Sequence, residues 1–362
     1  MKLLHIADVH LDRVFRGAET RHHADRRRAE LRDALTRALQ VGRDQGVEAI
    51  CIAGDTYEHD FVREDTVEFL RNLLSDVRVP VLITPGNHDP YMPGSVWQRT
   101  DWPHNVHVFT HDRIEPFPLD LEVTVWGAAF TAKHCSTNAV TDWRAPQDGG
   151  CHLLLIHGAL TGEQWADEPG HRPLTREQLV ATGARFVMLG HFHDGRSDAF
   201  LAYPGSLEPL GWGERFGTHG AAVLETHSDG TVTWQFHEIA RRRYAETTLD
   251  VSGAGTSTQI EAALAAAAAE FTGSSLRAIL SGLVEPSCEI DPRLMAERCG
   301  QDLAELVVID HTRPAYDLAA IAQEGSVRGR FVARLLATDD PLATDAAIAG
   351  LRAMDGHTEL VA

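Results

Sequence analysis

Val81-Leu82-Ile83-Thr84-Pro85-Gly86-Asn87-His88-Asp89 is an apolar run, then a breaker, then a polar cluster. A short apolar run bounded by turn residues reads as a buried strand. Four other stretches repeat the pattern. Leu3-Leu4-His5-Ile6-Ala7 leads into Asp8-Val9-His10, and Ala49-Ile50-Cys51-Ile52-Ala53 into Gly54-Asp55. Leu153-Leu154-Leu155-Ile156 leads into His157-Gly158, and Phe186-Val187-Met188-Leu189 into Gly190-His191-Phe192-His193. Ala24 to Gln45 has a helical apolar period, closed by Gly46, and a second helix is expected from about Arg63 to Val77. That β-α-β-α-β order predicts a mainly parallel, sandwiched sheet. The polar clusters should then gather at the C-terminal edge of one sheet, where open α/β sheets build their sites. Carboxylates, an amide oxygen and imidazoles converging there suit a pair of divalent cations, and so metal-assisted phosphoester hydrolysis.

Each cluster has a physical reading. Asp8 and His10 flank Val9, so on an extended strand end both would face one cation. Asp55 can bridge two cations, one per oxygen, with Gly54 admitting close backbone approach. Asn87 offers a neutral amide oxygen, and His88 follows on the same tight loop. His191 and His193 would share one side of an extended segment, with Phe192 directed elsewhere. Singly these are common features, and Gly-Asn is an ordinary turn. Five in this order are not.

At 362 residues the chain is long enough for two domains or one large one, and 43% hydrophobic with 23% charged residues is ordinary for a soluble protein. No run approaches the ~18 apolar residues of a membrane span, and the first strand leaves no room for a signal peptide, so a cytoplasmic location is expected. The five scattered cysteines read as free thiols rather than a disulfide framework. The net charge of −19 argues against tight autonomous binding to nucleic acid, which draws on Lys and Arg. Two cations held by two carboxylates would nonetheless leave the site itself positive.

Further along, Val106 to Phe109 and Val123 to Ala128 read as short strands and Thr175 to Thr182 as a capped helix. His219 to Thr226 and Thr231 to Glu238 read as a hairpin. Arg241-Arg242-Arg243 marks the expected boundary between residues 1–243 and a smaller α+β domain over 244–362. That domain should hold helices at Thr258 to Phe271, after Asp291-Pro292 and around Val327 to Leu336, with strands at Leu276 to Leu283 and Leu306 to Asp310.

The five clusters resemble the calcineurin-like metallophosphoesterase superfamily, whose order D-x-H, G-D, G-N-H-[DE], H and G-H-x-H is matched in full. Within it, Ala7-Asp8-Val9-His10-Leu11-Asp12, Tyr203-Pro204-Gly205-Ser206 and Val327-Arg328-Gly329 resemble the SbcD group of DNA-repair exonucleases, and its YhaO-like branch. The resemblance implies an α/β sandwich of central sheets flanked by helices, with the C-terminal domain as a cap that presents DNA. It also implies that Asp8, His10, Asp55 and His193 hold one metal, and Asp55, Asn87, His157 and His191 the other. His88 would be the catalytic histidine, assisting the leaving group while a hydroxide shared by the metals attacks phosphorus. The family often has an Asp where Glu58 stands; Glu58 and Asp89 are candidates for an outer shell. Mn2+ fits this donor set well, with Zn2+, iron and Mg2+ as alternatives.

A DNA nuclease, exonucleolytic with endonuclease activity left open, is the leading expectation. The resemblance also implies an SbcC-like coiled-coil ATPase partner and leaves a homodimer open. A phosphodiesterase for small substrates such as cyclic nucleotides shares every ligand. A non-catalytic scaffold for the ATPase would leave the buried carboxylates and histidines unused, which is costly. His22, His23, Arg26, Arg27 and Arg28 read as a solvated helix face, and His171 with the other scattered histidines as surface or satisfied groups. Trp212 and Phe216 read as packing under a loop at the site mouth.

Overall fold

The unbroken apolar runs are explained by burial on both faces of each strand. The computed structural model describes residues 1–15, 21–136, 138–161 and 171–356. It divides into two compact units, Met1–Arg241 and Arg242–Ala362. In the first, β1 (Lys2–Ile6), α1 (Arg21–Gln45), β2 (Ala49–Ile52), α2 (Glu64–Ser75), β3 (Val81–Ile83), α3 (Val96–Arg99) and β4 (Val106–Val108) come in turn. The strands β1 to β4 pair in parallel, and α1 and α2 make two of the crossovers that parallel pairing requires.

A second layer follows: β5 (Glu115–Pro118), β6 (Val123–Ala128), β7 (Cys151–His157), β8 (Ala159–Leu160), β9 (Pro173–Leu174), α4 (Arg176–Ala181), β10 (Phe186–Gly190), β11 (Arg196–Ser197) and β12 (Leu201–Tyr203). The chain then returns as the hairpin β13 (Gly220–Thr226) and β14 (Val232–Glu238), with β13 antiparallel to β1. The first sheet runs β14-β13-β1-β2-β3-β4 and the second β11-β12-β10-β7-β6-β5.

Alternate residues of each strand point to different cores. Leu3, Cys51 and Leu82 of the first sheet meet Leu153, Leu155 and Met188 of the second in the interior between sheets. The other faces of those strands, through Leu4, Ile50 and Ile83, pack under Leu31, Leu35 and Leu39 of α1 and Leu70 and Leu74 of α2. Leu154, Ile156, Val187 and Leu189 pack likewise with Leu179 of α4. Thr175 caps that helix with the expected capping box. The architecture is thus the expected α/β sandwich of central sheets flanked by helices. One expectation is corrected: the five clusters do not share one sheet. Three follow β1, β2 and β3, and two follow β7 and β10 of the facing sheet.

The second unit contains β15 (Tyr244–Asp250), α5 (Ser257–Ala268), β16 (Ser275–Val284), α6 (Pro292–Cys299), β17 (Glu305–Pro314), α7 (Leu318–Ala322), α8 (Val327–Leu336) and α9 (Ala343–Met354). The strands form an all-parallel sheet, β15-β16-β17. Ile260 and Leu264 of α5 and Met295 of α6 cover its Leu276, Ala278, Leu280 and Val308. Ile321, Val332 and Leu351 of the last three helices make a small separate core. All five cysteines are free. Among the described residues no helix is long and apolar enough to cross a membrane.

Candidate metal centre

β1, β2 and β3 stop short of their polar clusters, whereas β7 and β10 run into theirs, ending at His157 and Gly190, and the backbone turns sharply at three of the five clusters. Asp8, His10 and Asp55 have φ of 53°, 51° and 51°, and His191 has 118°. Such conformations cost about 1–3 kcal/mol in a non-glycine residue and persist where the surroundings over-determine them. The expected extended arrangement of Asp8-Val9-His10 is therefore corrected. The two side chains are brought together by a left-handed turn, locked when Asp8 N donates to Gly54 O (3.1 Å) and His10 N to Asp55 O (2.9 Å). Gly54, at φ 83°, has no room for a side chain, because a Cβ there would lie 2.5 Å from His157 Nδ1. The Asp8 carboxylate crosses to the other sheet and accepts His191 N at 3.0 and 3.1 Å.

Asp8, His10 and His193 place one donor atom each within 4.8 Å of one another, and so do Asp55, His157 and His191. His10, Asp55 and His88 form a third such group. Asp55 Oδ2 lies 3.4 Å from His157 Nε2 and 3.8 Å from His10 Nε2, and His157 Nε2 is 3.1 Å from Asn87 Oδ1. All seven expected ligands and His88 therefore surround one place.

The outward-facing nitrogens fix the tautomers. His10 Nδ1 lies 2.9 Å from Glu58 Oε1, His193 Nδ1 2.8 Å from Glu214 Oε1 and His157 Nδ1 2.8 Å from Ala53 O. Carboxylates and carbonyls only accept, so each Nδ1 carries a hydrogen, and each ring, when neutral, turns the Nε2 lone pair inward. The inward atoms then face acceptors: His10 Nε2 lies 3.0 Å from His193 Nε2, and His157 Nε2 faces the Asn87 oxygen. Lone pairs so placed repel unless a proton or a cation lies among them. This donor set fits divalent cations on its own chemistry.

The titration pattern says the same. Burial disfavours charge on His157, but Asp55 and Asp8 outweigh it and push its pKa up to about 9. Burial also opposes His88, whose pKa Asp55 and Glu58 raise to about 9. Asp55 stays well below the carboxylate range, since His157, His88 and His10 outweigh its burial. Burial lowers His10 to about 4, and burial together with His157 lowers His191 to about 3. The centre is short of positive charge.

Behind the inward-facing donors lies a set of outer partners. Glu58 reaches His10 and also His88 Nδ1, at 2.8 Å, so its longer arm does span the distance expected of an Asp. Asp89 touches no ligand side chain. Its buried carboxylate accepts Gly86 N, Asp55 N and Thr56 N at 2.6, 3.0 and 2.8 Å, tying the loop after β3 to that after β2. Tyr203 pins the His157 turn, donating to Gly158 O at 2.9 Å and accepting Leu160 N at 3.2 Å. Glu214 escapes a reading of the sequence, because no motif marks a carboxylate so far along the chain. His171, expected as a surface or satisfied group, has its ring 5.0 Å from that of His191.

Arg13, His88, His171, Arg196 and Glu214 are among the residues lining a cavity of about 430 Å³ over the cluster. Phe216 is 86% exposed and does not pack under its loop. Arg27 is buried, donating to Pro209 O at 2.7 Å, so only part of that helix face is solvated. The side chains of His22 and His23, and residues 16–20, lie outside the described residues.

Residues 1–195 match the family model for calcineurin-like phosphoesterases. The chain is 24% identical over 275 residues to "Uncharacterized metallophosphoesterase YhaO" of Bacillus subtilis, covering 72% of this chain and 65% of that one. It is 24% identical over 379 residues to "DNA double-strand break repair protein Mre11" of Methanopyrus kandleri, covering 94% and 79%. Against a subunit of the nuclease SbcCD of Staphylococcus epidermidis the identity is 23% over 282 residues, covering 68% and 71%. The chain thus spans just under two thirds of the Bacillus relative. With a family model covering more than half of its length, the chain belongs to the calcineurin-like phosphoesterase family.

Proposed function

We propose that this centre is a two-cation phosphodiesterase that cleaves DNA. The observation that carries the reading is the ring of inward-facing Nε2 lone pairs and carboxylate oxygens, whose mutual repulsion two cations would relieve. Asp8, His10, Asp55 and His193 would hold one ion and Asp55, Asn87, His157 and His191 the other, with Asp55 shared. Imidazole and hard oxygen donors together favour Mn2+. Bound there, the ions would activate water and neutralise phosphate oxygens.

The remaining steps fall to the chain. Asp55 Oδ1 accepts His88 N at 2.8 Å and Glu58 holds His88 Nδ1, so the ring is fixed at the cavity wall without being needed as a ligand. Its Nε2 would give a proton to the departing oxygen. Arg13 and Arg196, also on the wall, would meet phosphates flanking the scissile one.

DNA is preferred over a small phosphodiester because relatives over most of this chain bear the names of a DNA break-repair protein and part of a nuclease. Exonucleolytic cleavage, an SbcC-like ATPase partner and a role of the second unit in presenting DNA belong to the same proposal. The test is purified chain with Mn2+ on labelled single- and double-stranded DNA, beside bis-p-nitrophenyl phosphate and cyclic nucleotides. DNA cleavage that falls with added salt is expected. Efficient hydrolysis of a cyclic nucleotide with no cleavage of DNA, with or without an ATPase partner, overturns the reading.

A further inference from the structure

His193 differs from the other inward-facing histidines in having a carboxylate to itself. Glu58 is divided between His10 and His88, and His157 relies on a neutral backbone carbonyl. Glu214 Oε1 lies 2.8 Å from His193 Nδ1, and its second oxygen accepts Leu210 N at 2.7 Å. Its carbonyl accepts Gly217 N at 3.1 Å and lies 3.0 Å from His219 Nε2. His219 Nδ1 in turn lies 3.0 Å from Ser206 Oγ. The side chain is only 20% exposed. Glu214 is thus built into its loop at both ends of the residue, and the loop is sewn to the turn after β12. A surface carboxylate drifting onto a histidine would have none of these bonds.

From this geometry we infer that Glu214 is a positioning residue for one of the two cation positions only. By accepting the outer N–H of His193 it fixes the tautomer, aims Nε2 inward and strengthens it as a donor. Outer partners of this kind are typically worth about 10–100-fold in metal affinity. The benefit falls on the position shared with Asp8 and His10. The position of Asn87, His157 and His191 has no contact with Glu214 and should be indifferent to it. The inference rests on the two-cation reading.

The test is a Mn2+ titration of the metal-free full-length chain by calorimetry, with paramagnetic resonance counting bound ions. Wild type should bind two. Glu214→Ala should weaken one ion by about 10–100-fold and leave the other within about twofold. Glu214→Gln keeps an acceptor oxygen and should weaken the same ion less. Because Glu214 acts through His193, adding Glu214→Gln to His193→Ala should cost nothing further. A merely structural role would add its loss in both backgrounds and lower the melting temperature of the metal-free chain. Equal weakening of both ions, weakening of neither, or full additivity overturns the inference. Should Glu214→Ala fail to fold, Glu214→Gln alone decides by the same criteria. A wild type that binds fewer than two ions overturns the two-cation reading and this inference with it, whereas two ions lost unselectively overturn only the inference.

Discussion

Both units of this chain use parallel strands with helical crossovers, yet among the described residues only the first has a centre of the kind described. In the first, carboxylates and imidazoles at the strand ends are buried: Asp8, His10, Asp55 and His157 are all at most 1% exposed. In the second, the polar groups at the strand ends satisfy themselves locally. Asp250, at the end of β15, accepts from Ser252, and Asp310, on an exposed part of β17, accepts from Thr312. Residues 244–362 contain 18 acidic and 8 basic residues, so −10 of the net −19 lies there, but that charge is solvated. Among the described residues no cation-type cluster falls in the second unit. Topology alone does not make a site. Two sheets whose edges meet, and whose carboxylates are kept from water, do.

The sharpest way to break this contrast is to neutralise a carboxylate in each unit. Asp55→Asn should release both ions and drop hydrolysis of DNA and of an activated ester to background. Asp250→Asn should leave ion count and turnover unchanged. Metal analysis finding two ions and full turnover in Asp55→Asn would sink the shared-ligand assignment. Next in size, His88→Asn should retain both ions while DNA cleavage falls by ~10²–10⁴. The loss should be smaller on a p-nitrophenyl diester, whose leaving group hardly needs a proton. Equal losses on both substrates would rule out the general acid, and a lost ion would make His88 a ligand.

A core change in the second unit tests independence from the other side. Leu264 is fully buried between α5 and the sheet, and Leu264→Ala should cost about 2–5 kcal/mol of that unit's stability in denaturant unfolding. Ion stoichiometry should be unaffected; a changed ion count would show that the centre depends on this core. The smallest effect is a slope. In the ion-free centre His157 keeps a proton up to about pH 9, and a cation must displace it. Apparent Mn2+ affinity should therefore rise with pH, by about tenfold per unit for one displaced proton, and level off above that value. Flat affinity between about pH 6 and that value would remove His157 from the ligand set.

Much of this is legible because the signals are local. The alternation of inner and outer core residues requires apolar runs such as Leu153 to Ile156, and a run of that kind is visible without a partner. The clusters stand out because donors, breakers and runs are contiguous. What stays hidden is what depends on pairing across the chain. Nothing local says that β7 and β10 leave the first sheet for a second one. Nothing marks positive φ at Asp8, which is enforced by Gly54 O, nor Glu214, whose meaning exists only once its loop folds back on His193. In the second unit, β15 escapes notice because its Tyr244–Asp250 run is half-exposed and mixed.

The division of the donors between the two sheets bears on synthesis as well as on chemistry. Asp8, His10, Asp55 and Asn87 leave the ribosome long before His191, to whose backbone Asp8 is tied across 183 residues. Until β7 and β10 have both been made and have docked, the early donors lack the full set of imidazoles from the second sheet. An unfinished chain can therefore offer a passing cation only half a cage, and tight capture must wait for the last of these strands. Once closed, ions that bind only the folded state would stabilise it, by about 2.7 kcal/mol at a free concentration one hundred times the dissociation constant. They would act as a removable staple across the seam between the sheets, so a chelator should loosen the molecule there first.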